Sequence, residues 1–341
     1  MKQFLLTPTE TAGEPLSLTS SDVEDSAPGH GEVSVKMEAC SLNYRDLLVR
    51  SGKSASGGSD PVVPLSDGAG VIEEVGPGVD EWSLGDRVAL TFFRDWEDGA
   101  FDMKYHKAAR GGSCDGVLAE KVVAPAHSLV RIPSYLDPVA AAALPCAAVT
   151  AWHGLMERSR PLKAGDTVLC LGTGGVSIFA LQIAKAVGAR VIITSSSDEK
   201  LERAKALGAD ETINYREHPD WDKVVFELTE KKGVDHVIEV GGPGTLERSM
   251  NSVGAGGSIS LIGVLTGFDP PSASLFPLVA RNVDLSGIYV GSRAMFERML
   301  AFFEEHQIHP VVDETFAFDD AGGAYAALEG AGHFGKITIR I

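Results

Sequence analysis

The sequence predicts an α/β chain: a doubly wound parallel sheet with helices on both faces, joined to a second, mainly-β domain. Three observations carry that reading. The chain has 341 residues, more than one ordinary hydrophobic core accommodates. Its first third reads as short strands between Gly and Pro turns, the pattern of a partly open β-barrel or sandwich. From about Val139 strands alternate with helical stretches, which requires parallel pairing.

In chain order, Val33–Met37 alternates apolar and polar residues, and Val71–Val75 and Gly85–Leu90 are bounded by turn residues. Gly52–Ser59 is rich in Gly and Ser and is expected to be a mobile loop; the charged stretch 92–114 is expected to be an exposed excursion. Val139–Thr150 is Ala-rich and helix-prone. Strand Thr167–Leu171, helix Val176–Val187, strand Arg190–Thr194 and helix Asp198–Leu207 follow, then strands Asp235–Val240, Ser258–Ile262 and Asp284–Val290. Helix Arg293–His306 leads to a last strand, Lys336–Ile341, expected to rejoin the N-terminal domain. The expected division is 1–127 for the first segment of the β domain, 128–290 for the nucleotide domain, and 291–341 for a return segment.

Hydrophobic residues make up 44% and charged residues 23% of the chain, which excludes a disordered or fibrous class. The net charge of −17 repels phosphate backbones, so no nucleic-acid partner is expected. No apolar run is long enough to span a bilayer and no signal peptide is visible, so the expectation is a cytoplasmic protein without a membrane partner. None of Cys40, Cys114, Cys146 and Cys170 forms a C-x-x-C pair, and Cys40 and Cys170 lie in apolar runs as buried thiols. His306 and His309 stand three apart near a helix end without a third ligand nearby, so they read as a solvated terminus. His153 reads as a packing residue or a partner of the backbone.

The chemistry-bearing motif is Leu171-Gly172-Thr173-Gly174-Gly175-Val176-Ser177, placed between a strand and a helix. Gly supplies the positive φ of a tight turn and lets the backbone approach a pyrophosphate seated on the helix N-terminus. The next strand ends Thr194-Ser195-Ser196-Ser197 with no acid at its tip. An acid there would bond the ribose 2′-OH of NAD, whereas small hydroxyls with Lys200 and Arg203 close by suit a 2′-phosphate. Asp198 and Glu199 read as first-turn residues that complement the helix dipole.

Several ordered stretches resemble the medium-chain dehydrogenase/reductase superfamily over nearly the whole chain, most of all its zinc-free, quinone-oxidoreductase-like branch. They are Cys40–Asp46, Asp67–Val71, Leu144–Cys146 with Thr150–Trp152, the turn at Gly172, Leu207–Asp210 with Ile213–Tyr215, and Gly335-Lys336. The resemblance implies a Rossmann-type nucleotide domain and a GroES-like barrel. It implies NADP(H) as cofactor, with Lys200 and Tyr215 near the 2′-phosphate, Thr150 against the nicotinamide, and the backbones of Ile262, Ile288 and Val290 along its carboxamide. Ala331 stands where the family's phosphate pocket has an Arg. Zinc members use a Cys, a His and a Cys where this chain has Asn43, Ser66 and Cys146, with Asp67 able to add one oxygen. Zinc needs about three strong ligands, so none is expected, and loop 92–114 holds only Cys114 of a structural zinc set. Family members often dimerise edge to edge, so a homodimer through Asp284–Val290 is expected.

The implied reaction is hydride transfer between the nicotinamide and a small quinone or α,β-unsaturated carbonyl compound. Asn43 is the expected amide donor and Tyr44 the expected proton donor. Against those roles, Asn43 equally reads as a helix cap with Tyr44 packed beneath it. Two alternatives stay open: a zinc-free NAD(P)-dependent alcohol dehydrogenase, and a nucleotide-binding protein without turnover.

Overall fold

The computed structural model describes residues 1–9, 14–52, 61–270 and 273–341. Gly/Ser stretch 52–59 therefore lies, beyond Gly52, outside the described residues. Two compact units form: Met1–Val149 with Gly291–Ile341, and Thr150–Val290.

In the first unit, β1 (Lys2–Thr7) and β2 (Ser17–Asp22) pair as an antiparallel hairpin. The main strands are β3 (Glu32–Ser41), β4 (Asp67–Val75), β5 (Arg87–Leu90), β6 (Lys121–Pro125) and β7 (Leu129–Arg131). Helix α1 (Tyr44–Arg50) follows β3, and α2 (Pro138–Ala142) follows β7. The alternation Val33, Val35, Met37 buries one face of β3 in a core that also takes Leu90 and Leu129.

The second unit opens in the first turn of α3 (Val149–Met156). It runs β8 (Thr167–Cys170), α4 (Gly175–Val187), β9 (Arg190–Ser195), α5 (Asp198–Ala206), β10 (Glu211–Asn214), α6 (Trp221–Leu228), β11 (Val234–Glu239), α7 (Leu246–Ser252), β12 (Val253–Leu261), α8 (Phe276–Ala280) and β13 (Asp284–Gly287). The sheet has six parallel strands in the order β10-β9-β8-β11-β12-β13. Strand order therefore reverses between β8 and β11, the switch point at which such sheets open a crevice beyond their carboxyl ends. Val191, Ile192 and Ile193 form the unbroken buried run of a strand covered on both faces.

The chain then returns to the first unit through α9 (Arg293–His306), β14 (Val312–Ala317), α10 (Ala321–Glu329) and β15 (Lys336–Arg340). Strand β15 pairs antiparallel with β3, Thr338 facing Ser41, and completes a seven-stranded sheet. Ile337, Ile339 and Tyr325 fill the same core as β3. This doubly wound sheet with a separate β-rich unit is the fold class read from the sequence.

Three local expectations are corrected. The unit boundary falls after Val149 rather than after residue 127, because α2 packs on β3 and β4. The run Val139–Thr150 is not one helix: α2 is followed by a wide π turn, Leu144–Ala148, and then α3. Pro145 lacks the N–H that a regular ladder needs there. Stretch 92–114 is continuously exposed only over its middle, 97–104, since Phe92, Phe93 and Trp96 are at most 2% exposed. The Trp96 ring meets Phe93, Phe101 and Tyr105 at 5.8, 5.2 and 5.7 Å. Aromatic packing there outweighs the charged residues between the rings. Among the described residues, no helix is long and apolar enough to cross a membrane.

Candidate functional site

In the second unit, most of the residues singled out as cofactor contacts lie at or just beyond the carboxyl ends of the parallel strands. Gly172 follows β8 with φ +72°, a conformation that favours glycine, and its N–H donates to Thr194 Oγ1 at 3.2 Å. Gly174 precedes α4 with no side chain capping the helix, and a Cβ placed on it would meet no atom within 4 Å. Gly175 and Val176 form the first turn of α4. Ser177, 1% exposed, donates through Oγ to the Leu171 carbonyl at 2.6 Å and holds the helix against the strand end. A helix start without a side-chain cap, with room at Gly174 for a close approach, fits a pyrophosphate.

Next to this turn, β9 ends at Ser195, a buried residue whose Oγ accepts from Ser197 N at 3.3 Å. Ser196 is half-buried. Ser197 caps α5, its Oγ accepting from Lys200 N at 3.4 Å. Tyr215 follows β10, donates from its backbone to the Ser195 carbonyl at 3.0 Å, and leaves its ring 41% exposed. Asn214 Nδ2 donates to Asp198 Oδ1 at 2.7 Å, so this first-turn carboxylate is held toward β10.

At the other half of the sheet, Ile262 follows β12 and Ile288 follows β13. Their N–H groups donate to the Glu239 and Leu261 carbonyls at 2.8 and 2.9 Å. Val290 has φ +52°, an outlier for a β-branched residue and a kind of strain found at functional sites. Its carbonyl accepts from His153 Nδ1 at 2.7 Å, which fixes the proton on that nitrogen. Burial holds the His153 imidazole below its ordinary range, so the ring is neutral. Thr150 lies in the same helix as His153, 3% exposed. Sequence reasoning missed Glu239, a fully buried carboxylate at the end of β11. It accepts from Gly241 N at 2.7 Å, Gly242 N at 2.9 Å, Thr245 Oγ1 at 2.6 Å and Ser249 Oγ, shaping the loop at the switch point. The signal was an acid ending an apolar strand before two glycines.

The first unit carries Asn43 and Tyr44. Asn43 precedes α1 and donates from its backbone N–H to Asp46 Oδ2 at 2.7 Å. Asn43 and Asp46 form a capping box at the start of α1, and Asn43 Oδ1 also accepts from Lys336 Nζ at 2.6 Å. Asn43 Nδ2 is buried without a hydrogen-bond partner, although the amide lies close enough to Asp67 to favour its ionised form. Tyr44 is 40% exposed, so it is not packed beneath the cap. Lys336 Nζ also donates to the Leu42 carbonyl at 2.6 Å and stands 4.0 Å from Asp67 Oδ2.

Asp67 is fully buried and accepts from Ser66 Oγ at 2.6 Å and Cys146 N at 3.0 Å. Burial raises its carboxyl above the usual range, opposed first by Lys336 and then by the Ser66 hydroxyl. Leu65 turns the chain into Ser66 with φ +67°, and a Cβ on Gly116 would lie 2.0 Å from the Leu65 carbonyl oxygen. Position 116 therefore admits only glycine. Lys336 was read only as part of a motif; a lysine inside the apolar run closing the chain was the signal for an inward-facing charge.

This cluster fits a zinc ion poorly. Asn43 Oδ1 and Ser66 Oγ are weak donors already in hydrogen bonds, and Lys336 places a cation among them. Burial, then the Asp67 charge, raises the Cys146 thiol well above its ordinary range. Among the described residues, no group of three or more His, Cys, Asp or Glu side chains is arranged to hold a metal.

Comparison with known proteins agrees with this architecture. Residues 29–134 match the family described as "Alcohol dehydrogenase GroES-like domain", and residues 175–305 match "Zinc-binding dehydrogenase". A zinc-type alcohol dehydrogenase-like protein of Schizosaccharomyces pombe is 47% identical over 316 residues, 91% of each chain. An acryloyl-coenzyme A reductase of Metallosphaera sedula is 30% identical over 93% of this chain and 95% of its own. The solved quinone oxidoreductase of Pseudomonas syringae pv. Tomato superposes with a TM-score of 0.82 at 30% identity, covering 100% of this chain and 99% of its own. With both halves matched and the parallel sheet's switch point in place, the chain belongs to the medium-chain dehydrogenase/reductase superfamily and is an NAD(P)H-dependent oxidoreductase related to the zinc-type alcohol dehydrogenases.

Proposed function

We propose that this chain is a zinc-independent, NADP(H)-dependent reductase acting on a small α,β-unsaturated carbonyl compound or quinone. One observation carries the reading. Where zinc relatives have strong ligands, this chain has a buried Asn43 carboxamide whose Nδ2 lacks an acceptor, beside a Ser66 hydroxyl already spent on Asp67. A buried donor without an acceptor is costly and rare in a native fold, and it is tolerated where a ligand completes it. The names of the acryloyl-coenzyme A reductase and the quinone oxidoreductase point to the same acceptor class.

The nicotinamide, when bound, supplies hydride. This chain's residues do the rest. The Gly172–Val176 turn would hold the pyrophosphate, with Ser195, Ser196, Lys200 and Tyr215 toward the 2′-phosphate. Thr150 and the backbones at Ile262, Ile288 and Val290 would hold the nicotinamide. Asn43 Nδ2 donates to the acceptor oxygen as negative charge develops there, and the exposed Tyr44 hydroxyl delivers a proton. Strand β13 ends the sheet, pairing on one side only among the described residues, and Leu285 on it is exposed, which supports a homodimer joined strand to strand.

The second reading, alcohol oxidation, is favoured by the name of the 47% identical relative. Metal analysis of the purified protein, then turnover in chelator with quinones, enones, aldehydes and alcohols, separates the two. The expected result is NADPH oxidation by an enone or quinone, unchanged by chelator. Stoichiometric zinc whose removal abolishes turnover would defeat the proposal, as would activity confined to alcohols.

A further inference from the structure

We infer that Lys336 is a positioning residue that sets the orientation of the Asn43 carboxamide and so decides which of its two ends is presented as a donor. The inference rests on the role proposed for Asn43. An ammonium only donates, and an asparagine side chain has one accepting and one donating end. With Lys336 Nζ 2.6 Å from Oδ1, rotating the carboxamide by half a turn would set its NH2 group against the ammonium. The Leu42 carbonyl, 2.6 Å from the same nitrogen, holds the ammonium in place. Lys336 is 3% exposed, and the buried Asp67 carboxylate, 4.0 Å away, supplies its countercharge. Asp67 is itself held by Ser66 Oγ at 2.6 Å and Cys146 N at 3.0 Å. The chain Cys146–Asp67–Lys336–Asn43 thus turns Nδ2 away from the ammonium, as the donating end on the Asp67 side, where it makes no well-formed hydrogen bond.

The Asn43 Oδ1 is thus tied to a residue 293 positions away in sequence, while Asp46 accepts from the Asn43 backbone N–H in the capping box of α1. Strand β15 delivers Lys336 by pairing with β3 immediately before the Asn43 turn. Because Nδ2 is buried, an acceptor oxygen that reaches it bonds in a water-poor setting, where a fixed donor acts most strongly.

The test compares wild type, Lys336→Met, Lys336→Arg, Asn43→Ala and the Asn43→Ala/Lys336→Met double variant. Steady-state kinetics with the best acceptor, NADPH affinity, and the 1H–15N resonances of the Asn43 side-chain amide are measured wherever the variant retains that group. The expected result is that Lys336→Met lowers kcat roughly 10- to 100-fold at unchanged NADPH affinity. Lys336→Arg recovers part of the loss, and the double variant is no slower than Asn43→Ala within about twofold. The Asn43 amide resonances move in Lys336→Met. Equal kcat losses from Lys336→Met in the wild-type and Asn43→Ala backgrounds would overturn the inference, and so would an unmoved amide resonance in folded Lys336→Met. If Lys336→Met does not fold, Lys336→Arg alone and with Asn43→Ala gives the same comparison. If wild type turns over no acceptor, the proposed function falls, while the amide resonances still decide what Lys336 does.

Discussion

Replacing Lys200 by alanine tests the cofactor reading at one side chain. Its backbone N–H sits on Ser197 Oγ at 3.4 Å, in the first turn of α5, where the helix dipole already favours a phosphate. The adjacent acid most able to oppose a 2′-phosphate, Asp198, is drawn to Asn214 Nδ2 at 2.7 Å. A charge-assisted hydrogen bond from lysine to phosphate contributes about 1.5–3 kcal/mol. Lys200 is half-exposed, so solvent and salt screening lower the expected value to about 1–2 kcal/mol, or roughly 5- to 30-fold in affinity. Calorimetric titration at fixed ionic strength, with NADPH and NADH against wild type and Lys200→Ala, reads this directly. NADPH affinity is expected to fall by that factor while NADH affinity stays put. Wild type binding NADH at least as tightly as NADPH would refute the reasoning, as would a variant that weakens both nucleotides equally.

Tyr44→Phe removes one hydroxyl from a ring that is 40% exposed, so α1 is expected to keep its stability. We expect kcat to fall about 10- to 100-fold with NADPH affinity unchanged, and an unchanged kcat under conditions where chemistry limits the rate would leave Tyr44 without a catalytic part. A pH effect on stability is expected from His236, which is 1% exposed between Asp166 Oδ2 at 3.2 Å and Ser258 Oγ at 2.8 Å. Burial depresses its folded pKa despite Asp166, so above the ordinary imidazole value near 6.5 neither state takes up a proton. Below that value the unfolded chain gains one and the folded chain does not, so stability falls as pH drops. Thermal melts from pH 7.5 to 5 should show a smaller decline in His236→Asn than in wild type, and equal slopes would assign the acid sensitivity elsewhere.

The strand–turn–helix at Gly172 was legible because its signals are local: an apolar strand, glycines at the turn, and a periodic helix within a few residues. Helix α9 was read with the limits observed, Arg293–His306, because Ser292 caps it and its apolar positions repeat at the helical period. Strands β1, β2, β6, β7, β10 and β14 and helices α6, α7, α8 and α10 were not read. Several of them are short or only partly buried, and the half-exposed pattern of β14 has no clean alternation. Stretch 92–114 misled in part because averaging over charges hid Phe92, Phe93 and Trp96, which are buried.

By itself the sequence determined the fold class, the dinucleotide turn, the missing acid at the end of β9, and the weak metal donors at Asn43 and Ser66. Each is a property of residue type and near spacing, where propensity, turn chemistry and ligand strength act directly. Only the tertiary structure decided that Lys336 faces Asn43, that Asp67 balances it, and that the Asn43 Nδ2 is buried without a well-formed hydrogen bond. Those contacts depend on the register by which β15 joins β3, and a one-residue slip would turn Lys336 to the opposite face. Long-range strand pairing leaves no mark at fixed sequence spacing, so the charge partner of a buried polar group emerges only when the sheet closes.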